Sequence, residues 1–259
     1  MQTGKVYIVG AGPGDAELIT VKGLRCIREA DVILYDRLIN KELLTYAKAD
    51  AELIYCGKAP DCHTVKQETI HSLLIDYARK GCVVTRLKGG DPFIFGRGGE
   101  EALALAEHGI DFEIVPGVTA GIGATAYAGI PLTHRQYGSS FAVITGHRCA
   151  QRGQNVNWGQ LAQGVDTLVI YMGMSDLVVI CEQLMRHGKD PATPAALIHW
   201  GTTSRQVTVT GALQDIAAKA EKHGLTNPTL IIVGEVVKLR EKIQWVQENP
   251  EHSQFSFAL

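Results

Sequence analysis

The chain has 259 residues, 46% of them hydrophobic and 20% charged, and a formal net charge of −2, an ordinary globular composition that excludes fibrous and disordered classes. Residues 1–135 carry 15 Lys and Arg against 17 Asp and Glu, and the rest carries 10 against 10, so no basic domain for nucleic acid is expected. No run approaches the ~20 apolar residues of a membrane span, no signal-peptide core follows Met1, and the six cysteines lack a C-x-x-C pair, which together point to a reducing, cytoplasmic setting and no membrane partner.

In chain order, Val6–Val9 reads as a strand, followed by a glycine turn and an amphipathic helix over Thr20–Glu29 with Val21, Leu24, Ile27 and Arg28 on its stripe. Asp31–Tyr35 reads as a strand, Leu43–Ala47 as helical, Glu52–Tyr55 as a strand, Lys66–Lys80 as a helix and Val83–Leu87 as a strand. Gly98–His108 has helical spacing and Phe112–Val115 is a further strand. This alternation predicts a largely parallel sheet covered on both faces. Val118–Gly129 is a helix rich in Gly and Ala, whose small side chains permit close approach of a ligand or another helix.

A second series runs through Phe141–Thr145, Thr167–Met172, a helix over Asp176–His187, Ala195–Trp200, Gln206–Thr210, a helix over Leu213–His223, and Thr229–Val237. With little helical periodicity around its last strands, the second sheet is expected to be mixed or partly antiparallel. The expected division is an α/β domain over residues 1–135, a second α/β domain over 136–245, with the boundary near 132–140, and a disordered polar tail over 246–259.

Two motifs carry chemistry. Gly10-Ala11-Gly12-Pro13-Gly14-Asp15 follows a strand, and Asp36 lies 22 residues beyond Gly14, roughly where a nicotinamide-binding sheet keeps its ribose acid. Against a dinucleotide stand Asp15, where a helix-packing glycine is expected, and Pro13, which removes an N–H from the turn. The second motif, Arg86–Glu101, packs five glycines, three cations and three carboxylates into sixteen residues after an apolar run. No core segment needs that mixture, so it reads as a binding site leading into a helix N-terminus.

These motifs occur in one order with Leu34-Tyr35-Asp36-Arg37-Leu38, Cys56-Gly57-Lys58, Val115-Pro116-Gly117-Val118-Thr119-Ala120, Ala128-Gly129-Ile130-Pro131-Leu132-Thr133-His134-Arg135, Tyr171-Met172-Gly173 and Gly234-Glu235-Val236-Val237. Together they closely resemble the tetrapyrrole methylase family, over about Lys5 to Trp245. The first loop is shared with diphthine synthases and other relatives, whereas Arg86–Glu101 and Gly129–Arg135 are narrower in distribution. Trp200 and the loop Cys149–Trp158 depart from the commoner pattern.

The resemblance implies S-adenosylmethionine-dependent methylation of uroporphyrinogen III at carbons 2 and 7, giving precorrin-2 for sirohaem, cobalamin or haem d1. It also implies two α/β domains with an active-site cleft between them and a homodimer. A stand-alone form is expected, since Gly10 lies only ten residues from the start. By the family pattern the donor is held by Pro13, Gly89, Gly90, Asp91, Ile94, Thr119, Ala120, Met172 and Gly201, with Thr229. Asp36 and Lys58 match the proton acceptor and donor, with Arg97 as a competitor for proton handling.

The polycarboxylate substrate calls for guanidinium forks, assigned to Arg37, Arg97 and Arg135, with Glu100 holding one of them in place. Arg148 and Arg152 are weaker candidates, and His134 and His147 read as structural, with no metal-ligand spacing anywhere. Plain structural readings stay open beside these. Asp91 could cap the following turn, Pro13 could form a turn, and Ile94 and Met172 could be core. Asp36 could pair with Arg37 on the surface, leaving Lys58 solvated. A nicotinamide-dependent oxidoreductase and a non-enzymatic tetrapyrrole-binding protein are the competing functions.

Overall fold

The computed structural model describes residues 4–57, 66–146 and 156–248. The chain divides into two compact units, Met1–Ala120 and Gly121–Leu259.

The first unit holds β1 (Lys5–Gly10), α1 (Val21–Glu29), β2 (Val32–Tyr35), β3 (Glu52–Tyr55), α2 (Gln67–Arg79), β4 (Val84–Lys88), α3 (Gly98–Glu107) and β5 (Asp111–Val115). Its five strands run in the order β3-β2-β4-β1-β5, and every pair is parallel. Thr20 caps α1 by accepting from the Gly23 N–H at 3.0 Å, which leaves Cys26 and Ile27 to pack with Val9, Ile33, Leu87 and Val115 on one face of the sheet. Ile70, Leu74 and Ala78 of α2, with Ala102 and Leu105 of α3, cover Val6, Ile8, Leu34 and Val84 on the other face.

The helix after β1 therefore lies on one face and the helix after β4 on the opposite face, although β1 and β4 are neighbours. Their connecting loops diverge, which is the topological switch point where open α/β sheets hold ligands. The expected helix at Leu43–Ala47 is a 3-10 segment, Lys41–Tyr46, capped by Asn40.

The second unit holds α4 (Ala120–Tyr127, its first residue at the division), β6 (Phe141–Thr145), α5 (Trp158–Gly164), β7 (Thr167–Tyr171), α6 (Leu177–Arg186), β8 (Pro194–His199), β9 (Val207–Ala212), α7 (Ile216–Lys222), β10 (Thr229–Val233) and α8 (Arg240–Ile243). The order is β6-β7-β10-β8-β9, with β6 and β7 parallel and the remaining pairs antiparallel, a mixed sheet as its pattern suggested. The division falls ahead of residues 132–140 because the small residues of α4 pack on this sheet. Ala124 and Ala128 share a core with Val169, Ile198 and Ile232, and the Gly121 N–H donates to the Tyr171 phenol oxygen.

Three features depart from the local pattern. Helix α5 contains two glycines and carries little helical signal, yet Trp158, Leu161 and Ala162 anchor it to the core. Strand β10 stops at Val233 rather than Val237 because Gly234 turns the chain at φ 155°, and a 3-10 segment, Glu235–Leu239, follows. The tail is tied down as far as Glu248, whose carboxylate accepts from the Thr208 N–H at 2.9 Å and meets Arg240 at 3.1 Å. Residues 249–259 lie outside the described residues.

Candidate active site

Three glycine loops meet at the C-terminal ends of β1, β4 and β5. A Cβ on Gly10 would lie 2.6 Å from both the Gly117 nitrogen and the Gly90 oxygen, and a Cβ on Gly117 would lie 2.4 Å from that same oxygen. The backbones touch, so no side chain fits between them. Gly12 and Gly90 exchange hydrogen bonds across this edge, at 3.2 and 2.7 Å, and the Ala11 N–H donates to the Lys88 carbonyl. Asp91 completes the stitch, accepting from the Phe93 N–H at 2.8 Å and the Gly117 N–H at 3.0 Å. The capping reading of Asp91 is thus correct as far as these bonds go, and both of its oxygens are engaged.

This wiring bears on the dinucleotide comparison. A pyrophosphate turn needs free N–H groups facing a helix N-terminus. Here the Ala11 and Gly12 N–H groups are consumed, Pro13 has none, and a 3-10 segment at Ala16–Leu18 precedes α1. Gly90 is different. At φ 68° its added Cβ would make only ordinary contact, 3.8 Å from Thr119 and from the Ala120 nitrogen, so its bare backbone is uncrowded beside two other donor candidates.

A buried charge network lies beneath this edge. Arg86 and Lys88 sit two residues apart on β4 and so share the face covered by α2 and α3, where Glu101 of α3 descends onto them. The Glu101 Oε1 accepts from Arg86 Nε at 3.0 Å, from Lys88 Nζ at 3.1 Å and from the Gln67 amide of α2 at 3.1 Å, while its Oε2 has no hydrogen-bond partner. Arg86 also reaches outward, placing Nη2 2.5 Å from Asp36 Oδ1, and Lys88 Nζ lies 3.6 Å from Asp36 Oδ2. The side chains of Arg86, Lys88 and Glu101 are 4% exposed or less, whereas that of Asp36 is 30% exposed. Burial alone would drive the Arg86 pKa down, but the charges of Glu101 and Asp36 outweigh it and hold the guanidinium above its usual value.

Asp36 therefore pairs with Arg86 and Lys88, and the surface pairing with Arg37 considered from the sequence is not what forms; Arg37 is exposed. The sequence reading missed Arg86, Lys88 and Glu101 as a unit. The available signal was two cations at alternate positions of an otherwise apolar strand, which places both under a helix.

Beyond Asp91, the loop turns through Phe95 and Arg97, both in the left-handed region at φ 51° and 58°. Arg97 grips Glu100 with two bonds, Nε to Oε1 at 3.0 Å and Nη2 to Oε2 at 2.6 Å. That bonding raises the Arg97 pKa and lowers that of Glu100. Ile94 is exposed with Phe93 and Phe95, not part of the core. Pro13 is partly buried behind the first turn, and Arg135 stands exposed at the turn closed by the His134–Gly138 bridge. Lys58, His147, Arg148 and Arg152 lie outside the described residues.

In the second unit, Met172, Gly201 and Thr229 come to one edge of the sheet. β7 and β8 are both antiparallel to β10, so their C-terminal ends lie beside the β10 N-terminus, where Thr229 is registered with His199. Met172 is exposed and left-handed at φ 53°, and so does not serve as core. A Cβ on Gly201 would lie 2.3 Å from the Ala124 Cβ, and Trp200 before it carries Arg205 stacked 3.7 Å over its ring. The His199 Nδ1 lies 2.9 Å from the Thr229 hydroxyl and 3.0 Å from the Thr226 carbonyl. Among the described residues no group of three His, Cys, Asp or Glu could hold a metal, and no helix is long and apolar enough to cross a membrane.

A family model of the tetrapyrrole (corrin/porphyrin) methylases matches residues 5–217. The uroporphyrinogen-III C-methyltransferase of Priestia megaterium is 63% identical over 234 residues, covering 90% of this chain and 98% of that protein. That of Bacillus subtilis strain 168 is 55% identical over 256 residues, covering 99% of this chain and all of that protein, 100%. The crystal structure of uroporphyrin-III C-methyltransferase from Thermus thermophilus in complex with S-adenosylhomocysteine matches with a TM-score of 0.78 at 42% identity, covering 91% of this chain and 100% of the other.

Proposed function

Because the chain belongs to the tetrapyrrole (corrin/porphyrin) methylase family, we propose that it is an S-adenosylmethionine-dependent C-methyltransferase that methylates uroporphyrinogen III at carbons 2 and 7 to give precorrin-2. The product would feed sirohaem, cobalamin or haem d1 synthesis. The observation that carries this reading is the C-terminal edge of the first sheet, where the uncrowded backbone of Gly90 lies beside Thr119 and Ala120 while Asp36 is braced by Arg86. The same reading takes the protein as a cytoplasmic homodimer, which sedimentation of the purified chain tests.

When bound, the sulfonium donor supplies an electrophilic methyl group. An electron-rich pyrrole carbon contributes the electron pair of the new carbon–carbon bond, the pair of the broken sulfur–carbon bond stays on sulfur, and the cationic macrocycle then releases one proton. The protein has mainly to align the two reactants, an effect worth up to ~7–11 kcal/mol in favourable cases. Gly89, Gly90, Asp91, Ile94, Thr119, Ala120 and Pro13 of the first unit, and Met172, Gly201 and Thr229 of the second, are the proposed donor contacts. Arg37, Arg97 and Arg135 are proposed to receive substrate carboxylates, with Glu100 fixing the fork of Arg97. Asp36 accepts the proton at its partly exposed carboxylate, Lys58 is the proposed donor, and Arg97, which keeps its proton, serves better as an anchor.

The test is anaerobic incubation with uroporphyrinogen III and methyl-labelled S-adenosylmethionine. Two labelled methyl groups per tetrapyrrole are expected, at carbons 2 and 7. Folded protein that puts no label into the macrocycle would overturn the proposal. Tetrapyrrole binding without turnover would favour the non-enzymatic reading, and NAD binding in place of the methyl donor would favour the oxidoreductase.

A further inference from the structure

We infer that Glu101 is a positioning residue for the methyl transfer, acting through Arg86 and Lys88 to set the orientation and charge balance of the Asp36 carboxylate. The inference rests on the reading of Asp36 as proton acceptor and goes beyond it by assigning a role to three buried side chains outside the proposed donor and substrate contacts.

Strand β4 lies in the middle of the sheet, and its residues facing α2 and α3 would ordinarily be apolar like Val84. Instead they are two cations, and the helix above answers with a carboxylate that is 0% exposed. Buried ion clusters are poor stabilisers, because desolvation cancels most of the attraction, and an apolar replacement would serve the fold as well or better. The cost is visible in the Glu101 Oε2, buried with no hydrogen-bond partner while Oε1 takes three donors. Local rules broken without a packing gain tend to mark function.

The geometry says what that function is. Arg86 and Lys88 each contact both carboxylates, so the four groups close into a ring, and Asp36 is its partly exposed member. Facing the ring are the neutral Gln67 of α2, bonded in turn to the titratable His71, the buried Cys56 thiol after β3, which feels all four charges, and the Arg97–Glu100 pair at the start of α3, whose charges are felt by Glu101 and Lys88. With Glu101 present, Asp36 faces two cations of which one is already balanced. Without it, two cations would face one carboxylate and hold it as a fixed counter-ion.

The pH dependence of kcat reads this directly, because the sign of each shift is set by charge. Glu101→Gln is expected to lower kcat on the order of 10-fold, as misplacing a catalytic group does, with KM for both substrates nearly unchanged and the acid limb moved to lower pH. Lys88→Met is expected to move that limb to higher pH, and Lys88→Met combined with Glu101→Gln to return it toward the parent. A purely structural role would produce no such opposed pair. If one single variant fails to fold, the other single and the double still carry the comparison. Limbs that stay at the parent position, or a loss confined to KM, overturn the inference. Asp36→Asn separates it from its premise. An inactive Asp36→Asn beside an unmoved Glu101→Gln profile overturns the inference alone, whereas parent-level kcat in Asp36→Asn removes the acceptor role and the inference with it.

Discussion

Arg97 occupies a left-handed position, φ 58°, that a side chain of its kind adopts only when its surroundings require it. Two bonds to Glu100 then fix the direction of its guanidinium, while more than half of the side chain stays in contact with solvent (54%). A fork held in place yet still exposed is suited to a carboxylate arriving from outside. Replacing Arg97 by Leu should raise KM for the tetrapyrrole on the order of 10- to 100-fold, the usual worth of a charged hydrogen bond, and leave donor affinity within about twofold. Calorimetric titration with each ligand checks it, and equal losses for both would remove the assignment. The pairing of Arg97 with Glu100 was legible in the sequence, because both lie in one motif. Glu101, one residue further on, was not, because only the rotation of α3 turns it inward onto Arg86 while Glu100 stays on the surface.

At the scale of elements, the glycine loops cost the chain freedom and return close backbone contact. Gly117→Ala places a methyl group 2.4 Å from the Gly90 carbonyl, a collision with backbone that cannot rotate away. Overpacking of this kind costs about 1–3 kcal/mol, so a clear fall in melting temperature is expected, together with weaker donor binding as the Gly90 loop is pushed out. Gly99→Ala is the control, since a Cβ there meets nothing within 4 Å, and its melting temperature should not fall. Thr20→Ala removes the cap bond to the Gly23 N–H and should cost ~1 kcal/mol by denaturant titration, without altering turnover. Strands and long helices were readable from periodicity. α5 was not, since two glycines hide its pattern and only Trp158, Leu161 and Ala162 meeting the core make it a helix.

For the whole molecule, stability should fall with acid in two stages. Burial holds the His199 pKa below its usual 6.5, against the bonds to Thr226 and Pro228. The unfolded chain binds this proton first, so the His199 contribution is complete above about pH 6.5 and is lost as the pH falls through the lower folded value. Asp166, which accepts from Ser139 and Ser140, and Asp31, bonded to Lys48 and the Val83 N–H, lie below their usual 3.8. Their contribution is present above about pH 4 and lost below it by the same sign. Melting temperatures from pH 8 to pH 3 check both stages, and His199→Gln should flatten the first and spare the second. The sequence by itself determined the two α/β series, the parallel and mixed character of the sheets and the glycine motifs, because periodicity and backbone chemistry are local properties. Only the tertiary structure decided that Gly10, Gly90 and Gly117 share one edge, that Asp36 leans on Arg86 rather than Arg37, and that Glu101 lies beneath it. Strand order and the facing of a helix put residues far apart in the chain within hydrogen-bonding distance, and no local pattern carries that information.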